Sequence, residues 1–225
     1  MPRALIFDFD GVIADSEVLV NAAMAEGVSR LGLAMTTEQS ITTYLGMRWP
    51  EVVARTKALL AERGLADALP DDFGDDLKAN IHRRFKSELT EVSGARAFIR
   101  RHAHVPRAIA SSSSADRLAL CLDALDLTGD FGAHVYSADL VKNGKPAPDI
   151  FLLAADSLNI RPADCIVIED SPGGIRAARA AGMTAIGLHA AAHLAPGHDV
   201  RLRDAGAHHT AENWDAVQAL VAPLL

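Results

Sequence analysis

The run Cys165-Ile166-Val167-Ile168 constrains the fold more than any other feature of the chain. Successive side chains of a strand point to opposite faces, so a strand apolar at consecutive positions must be covered on both. Similar short runs recur, bounded by turn residues: Arg3–Phe9, Arg107–Ser111, His134–Ser137, Cys165–Glu169, Thr184–Leu188 and, more weakly, Ala207–Thr210. Between them lie stretches with helical spacing: Gly94–His102, Ala115–Leu125, Pro148–Ser157, Gly173–Ala181 and Trp214–Val221. Alternation of buried strands with helices predicts an α/β core, a doubly wound parallel sheet.

One region breaks the alternation. From Ser16 to Thr90 no strand pattern occurs and the spacing is helical throughout. Val18, Ala22, Ala25, Val28 and Leu31 mark one face of a first helix, and Gly32 is placed to end it. Thr36 and Gln39 have capping-box spacing for a second, and Glu51–Glu62 and Asp72–Glu88 predict two more. The expected organisation is a core of residues 1–15 and 91–225 interrupted by a helical-bundle domain over 16–90, joined near Ala14–Ser16 and Thr90–Gly94.

At 225 residues the chain is long enough for one such core and a small accessory domain. A formal charge of −7 argues against a nucleic-acid binder, which needs a basic face, but leaves room for a local cationic pocket. Cys121 and Cys165 form no CxxC, so neither a zinc site nor a disulfide framework is indicated. Two free thiols, with no stretch that reads as a signal peptide, suit a reducing cytoplasm. No apolar run approaches the ~20 residues that span a bilayer. A monomer or weak homodimer with neither membrane nor nucleic-acid partner is expected.

Ligands of open parallel sheets bind beyond the carboxyl ends of the strands. There the first strand runs into Asp8 and Asp10, which share a face if the backbone stays extended, followed by Gly11. The second ends on Ser111 and Ser112, the fourth on Glu169 and Asp170, and Lys145 stands in the loop "KNGKPAPDIF" between them. Each alone has an ordinary explanation. Aspartates and serines cap helices, Ser114 is placed to begin the Ala115 helix, Glu169-Asp170 can cap the next one, and a lone lysine is usually solvated. Together they would gather four carboxylates, hydroxyls and an ammonium at one sheet edge, which points to a site.

"DFDGVIADSE", Ser111 after an apolar strand, Lys145 in "GKPAPDIF" and "IVIEDSPGGIRAARAAG" resemble, in order and spacing, the four motifs of the haloacid dehalogenase superfamily. The resemblance covers nearly the whole chain and includes the helical insert. It is strongest to the branch of sugar-phosphate phosphatases, phosphoglycolate phosphatases and β-phosphoglucomutase. It implies a Rossmann-like core with a helical cap and a small phosphorylated metabolite as substrate. Asp8 would be the nucleophile that becomes an aspartyl-phosphate, and Asp10 the general acid and then base. Mg²⁺ would be held by Asp8, the Asp10 backbone carbonyl and Asp170, with Glu169 binding directly or through water. Lys145, Ser111 and the backbone near Ser112 and Gly11 would bind the phosphoryl oxygens. Gly46 and Arg48, in the "YLGMRWPEVV" loop of the insert, are candidates for contact with the leaving group.

The carboxylate at Asp10 points to phosphate esters, because superfamily members acting on other leaving groups usually lack it. Mutases of this branch typically carry a histidine ten residues later, where this chain has Val20. That favours hydrolysis, with a hexose-phosphate mutase as the alternative. A phosphorylatable receiver module pairs similar residues around Mg²⁺ but is about half as long and has no insert. His82, His102 and His104 show no ligand spacing and are expected on the surface, and His208-His209 at the end of a late strand.

Overall fold

The computed structural model describes residues 3–45, 47 and 49–225. Among these, six strands form one parallel sheet: β1 (Ala4–Phe7), β2 (Arg107–Ser111), β3 (Val135–Ser137), β4 (Cys165–Glu169), β5 (Thr184–Leu188) and β6 (His209–Ala211). Their order is β3-β2-β1-β4-β5-β6. The chain winds outward from β1 to β3, crosses back and continues from β4, so the winding reverses between β1 and β4. A crevice at that reversal, at the carboxyl ends, is where such sheets bind ligands.

The continuous apolar runs are explained by the cover they receive. Phe7 lies opposite Ile109 of β2 and Ile168 of β4 in register. On one face Ile6, Ala110 and Val167 join Phe151 and Ile175 in the core. On the other, the Phe7 ring lies 5.8 Å from Phe131, 6.0 Å from Trp214 and 6.2 Å from Phe98. Fully burying one such apolar side chain contributes roughly 1.5–3 kcal/mol.

The chain divides into two compact units, one of the residues up to Asp15 with Leu89–Leu225, the other Ser16–Glu88. The second is helical: α1 (Glu17–Arg30), α2 (Thr37–Tyr44), α3 (Trp49–Ala61) and α4 (Phe73–Glu88). Ala23, Met24, Val28, Leu33, Tyr44, Leu60, Phe73 and Leu77 form its core. Thr36 and Gln39 make the reciprocal capping box at the start of α2. At the end of α1, Leu33 N–H bonds Val28 O and Gly32 N–H bonds Ser29 O, the paired closure of a Schellman motif. The buried face of α1 differs from the expected one: Ala22 is half-buried, whereas Ala23, Met24 and Gly27 are buried. α1 packs against both α2 and α4 and so buries a broader arc than a single stripe. An added Cβ at Gly27 would stand 3.1 Å from the Phe73 ring, so the glycine lets the ring approach closely.

In the first unit α5 (Ala95–Arg101), α6 (Ala115–Ala124), α7 (Asp149–Ser157), α8 (Pro172–Ala180), α9 (His198–Asp204) and α10 (Trp214–Val221) connect the strands. Where the insert leaves and returns, the core segments are tied together. Asp15 N–H bonds Thr90 O, Val92 N–H bonds Ile13 O, and Ala14 bridges Glu91.

Three local expectations are corrected. β1 ends at Phe7 rather than Phe9, because the chain turns back through bonds from Ile13 and Ala14 N–H to Phe9 O. His102 is buried, not on the surface: its ring centroid lies 4.4 Å from that of Phe98, and Phe98 O accepts from its Nδ1. β6 starts at His209, so His208 precedes that strand and His209 begins it instead of ending it. His208 Nδ1 accepts from Ala185 N–H of β5.

Candidate active site

Asp8 follows β1 directly, and its own N–H still bonds Ile168 O of β4, so its backbone is held by the sheet. Its side chain is buried, and Oδ1 accepts from Lys145 Nζ at 2.8 Å. The same ammonium donates to Glu169 Oε1 at 2.9 Å and lies 4.9 Å from the Phe151 ring centroid. Lys145 is therefore not the solvated lysine that its loop position suggests. Glu169, the last residue of β4, is fully buried, and its Oε2 accepts from Ser171 N–H at 2.6 Å. Ser171, rather than either acid, caps α8, accepting from Gly174 N–H at 3.0 Å. A Cβ at Gly174 would fall 1.6 Å from Glu169 Oε1, so only glycine lets the helix start here beside that carboxylate.

Asp170 is buried across from Gly11. Gly11 has a φ of +78°, and a Cβ there would come 1.9 Å from Asp170 Oδ2. Gly11 thus has two reasons to be glycine, a left-handed backbone and a close carboxylate. Asp8, Glu169 and Asp170 each place one oxygen within 4.8 Å of the others. Among the described residues around them, four carboxylates (with Asp10) face the cations Lys145 and Arg117 and the imidazole of His193, which lies 3.9 Å from Asp170 and whose burial disfavours the charged form, so negative charge is left over. Desolvation pushes Asp8 from 3.8 up to about 7; Lys145 opposes the shift, and the charges of Glu169 and Asp10 add to it. Asp170 is raised well above the ordinary value by desolvation, then by Glu169 and Asp8. Burial alone would lower Lys145, but Asp8 and Glu169 outweigh it and hold the ammonium above its ordinary range. An all-oxygen donor set with surplus negative charge fits a hard divalent cation, and this triad can hold one.

Asp10 diverges from Asp8, because the strand has already ended. Its Oδ1 accepts from Arg117 Nη2 at 2.7 Å and its Oδ2 from Ser113 Oγ at 2.6 Å. Ser111, at the end of β2, is buried, and its Oγ accepts from Ser113 N–H at 3.0 Å. Ser112 is exposed. Ser114 begins α6 as expected, accepting from Arg117 N–H. Gly46 and Arg48 lie outside the described residues. Val20 is a half-buried residue of α1 in the helical unit.

Sequence reasoning missed four residues here. Ser113 and Arg117 hold Asp10, and Gly174 admits Glu169. His198 Nε2 donates to Asp170 O. A glycine two residues past a helix-starting Pro172, and an arginine within a helix's first turn, carry no local signal of a partner.

A carboxylate just past β1 thus lies beside a lysine, with two further acids at the end of β4, all at the winding reversal. The chain belongs to the haloacid dehalogenase-like hydrolases, whose family model matches residues 2–182. Fructose-1-phosphate phosphatase YqaB of Escherichia coli is 32% identical over 182 residues, 81% of this chain and 94% of its own length. The structure of a haloacid dehalogenase family hydrolase from Deinococcus radiodurans with bound phosphate and sodium superposes with a TM-score of 0.84. It is 32% identical and matches over 99% of this chain and 96% of that one. A putative β-phosphoglucomutase from Thermotoga maritima gives a TM-score of 0.79 at 27% identity, over 98% of this chain and 99% of that one.

Proposed function

We propose that this hydrolase is a magnesium-dependent phosphatase of small phosphorylated metabolites, of the sugar-phosphate or phosphoglycolate type, working through an aspartyl-phosphate. The observation that carries the reading is the buried Asp8 carboxylate, held by Lys145 and flanked by Glu169 and Asp170 at the sheet's ligand edge. The sugar phosphate named for the Escherichia coli relative supports the substrate class.

In this reading the Asp8 oxygen free of Lys145 attacks phosphorus, forming an O–P bond as the ester O–P bond breaks. Asp10 delivers its proton to the departing oxygen, then takes one from the water that attacks the aspartyl-phosphate. Phosphate leaves and Asp8 is restored. The obstacle is repulsion: a carboxylate ~4 Å from a phosphate charge meets about 4 kcal/mol per pair at an effective dielectric near 20. Mg²⁺ held by Asp8, Asp170 and the Asp10 backbone carbonyl would neutralise that charge when bound. Glu169 already accepts one bond at each oxygen, so its part is to fix Lys145 and, through water or directly, to complete the donor set. Lys145 and Ser111 face the phosphoryl oxygens. Residues 16–90 would serve as the cap that selects the leaving group, with Gly46 and Arg48 as its contact residues.

Asp8→Asn should abolish phosphate release from a panel of phosphorylated sugars and short acids, and removing the metal with a chelator should do so reversibly. Turnover by Asp8→Asn equal to that of the parent chain would end the aspartyl-phosphate reading. The likeness to the Thermotoga structure favours, as a second reading, a hexose-phosphate mutase, against which Val20 stands. Formation of glucose 6-phosphate from β-glucose 1-phosphate and a trace of the bisphosphate, without free phosphate, would select the mutase.

We place the enzyme in the cytoplasm as a monomer or weak homodimer. The free, buried Cys121 and Cys165 support the cytoplasmic placement, and no described helix is long and apolar enough to cross a membrane.

A further inference from the structure

The geometry points to Arg117 and Ser113 as the positioning pair for Asp10: together they fix the carboxylate that serves the leaving oxygen, and Arg117 is the dominant member. The inference rests on the reading of Asp10 as general acid and base. Three observations carry it.

The first is the fork itself. Arg117 Nη2 holds Oδ1 at 2.7 Å and Ser113 Oγ holds Oδ2 at 2.6 Å, both distances of charge-assisted bonds. A carboxylate bonded at both oxygens by groups on different parts of the backbone cannot rotate about its last torsion without losing one of them.

Arg117's place in its helix is the second. With Ser114 as N-cap, Arg117 is the third residue of α6. The helix dipole disfavours a cation in the first turn, and a capping box would put Glu or Gln there. Local helix energetics therefore give no reason for an arginine at this position, whereas Asp10, 107 residues away in sequence, does. Cys121, one turn on, places its thiol within reach of the Arg117 side chain.

The third is the link to the phosphoryl side of the site. Ser113, which holds Asp10, donates its own N–H to Oγ of Ser111, the buried hydroxyl at the end of β2. The acid is thus referenced through one short loop to the strand end assigned to the phosphoryl group. Misplacing a catalytic group by about 1 Å can cost ~10²-fold in rate, so this reference matters.

The test uses leaving groups of different demand. The parameter kcat/KM reports only steps up to departure of the leaving group, and a dinitrophenolate leaves without a proton whereas a sugar hydroxyl does not. With the full chain and saturating Mg²⁺, kcat/KM is measured for a hexose phosphate and for 2,4-dinitrophenyl phosphate. Arg117→Ala should lower the first by roughly 10- to 100-fold and leave the second within about 3-fold. Arg117→Lys should restore part of the loss and Ser113→Ala should show a milder version. Asp10→Asn serves as reference: if it lowers both substrates equally, the acid reading itself fails. If Asp10→Asn shows the split and Arg117→Ala does not, because both substrates fall alike or neither falls, the positioning role is wrong. Circular dichroism and thermal unfolding of each variant separate these outcomes from misfolding. A variant that does not fold is replaced by Arg117→Gln, which keeps a donor and removes the charge.

Discussion

At the scale of single residues, Gly174 sets the tightest condition on the site. Its substitution by alanine would put a methyl group 1.6 Å from Glu169 Oε1, so that carboxylate or the helix start must move. Moving it strips Lys145 of one of its two acidic partners in a buried setting, and breaking a buried pair of this kind costs about 3–5 kcal/mol. Gly174→Ala should therefore lower kcat by roughly 100-fold and reduce the urea midpoint, measured by steady-state kinetics and equilibrium unfolding. Activity within about 2-fold of the parent would show that the Glu169–Lys145 contact is not needed to hold the site. Single residues were unevenly legible in the sequence. Asp8, Asp10, Glu169 and Asp170 stood out because acids at the ends of apolar runs are conspicuous, and Lys145 because its loop falls between the strands that carry them. Gly174 and Arg117 did not, because what they touch is set by the meeting of β4 with α8 and of α6 with the turn after β1. The burial of His102 was hidden for the same reason, since the Phe98 ring that covers it sits one helical turn away and is itself packed by Trp214.

Among the elements, α8 deserves the closest inspection, since its start presents Glu169 and Asp170. Ser171 accepts from Gly174 N–H, Pro172 occupies the first turn, and Ser171 N–H holds Glu169. Ser171→Ala should cost about 1 kcal/mol of stability by loss of the cap, read as a lower urea midpoint at unchanged slope. It leaves the Ser171 N–H in place, so kcat should fall less than in Gly174→Ala; an equal fall would mean that the cap itself sets the carboxylate. Most elements could be read from the sequence, because period and punctuation are local: β4 and α10 have the expected bounds. α9 went unrecognised, its seven residues offering only Val200 and Leu202 as apolar positions. β1 came out shorter than its apolar run because Phe9, although buried, belongs to the turn that carries Gly11 and not to the ladder.

For the whole molecule, the surplus negative charge at the sheet edge couples folding to pH and metal. Burial above all pushes the Asp8 carboxyl of the folded chain from 3.8 up to about 7, and Asp170 moves in the same direction. The folded chain thus holds these protons more tightly than the unfolded one. The contribution of Asp8 is fully present below about pH 4 and is lost as the pH rises through about 7, so the metal-free protein loses stability across that window. A divalent cation held by these carboxylates would compete with the same protons and bind the folded state, so its stabilisation would run the other way. The rise in Tm on adding saturating Mg²⁺ should be larger at about pH 8 than at about pH 5, by differential scanning calorimetry. An equal rise at both would mean the ion binds elsewhere. By itself the sequence determined the α/β alternation, the helical stretch inside it and the acids and lysine available for chemistry, because these depend on residue types and spacings along the chain. Only the tertiary structure decided that Lys145 is shared between Asp8 and Glu169, that Asp10 turns to Arg117 and Ser113, and that two glycines admit two carboxylates. Apart from the Gly174–Glu169 approach, which is set by how α8 leaves β4, those contacts join segments far apart in the chain, and their distances exist only once the sheet has brought the strand ends together.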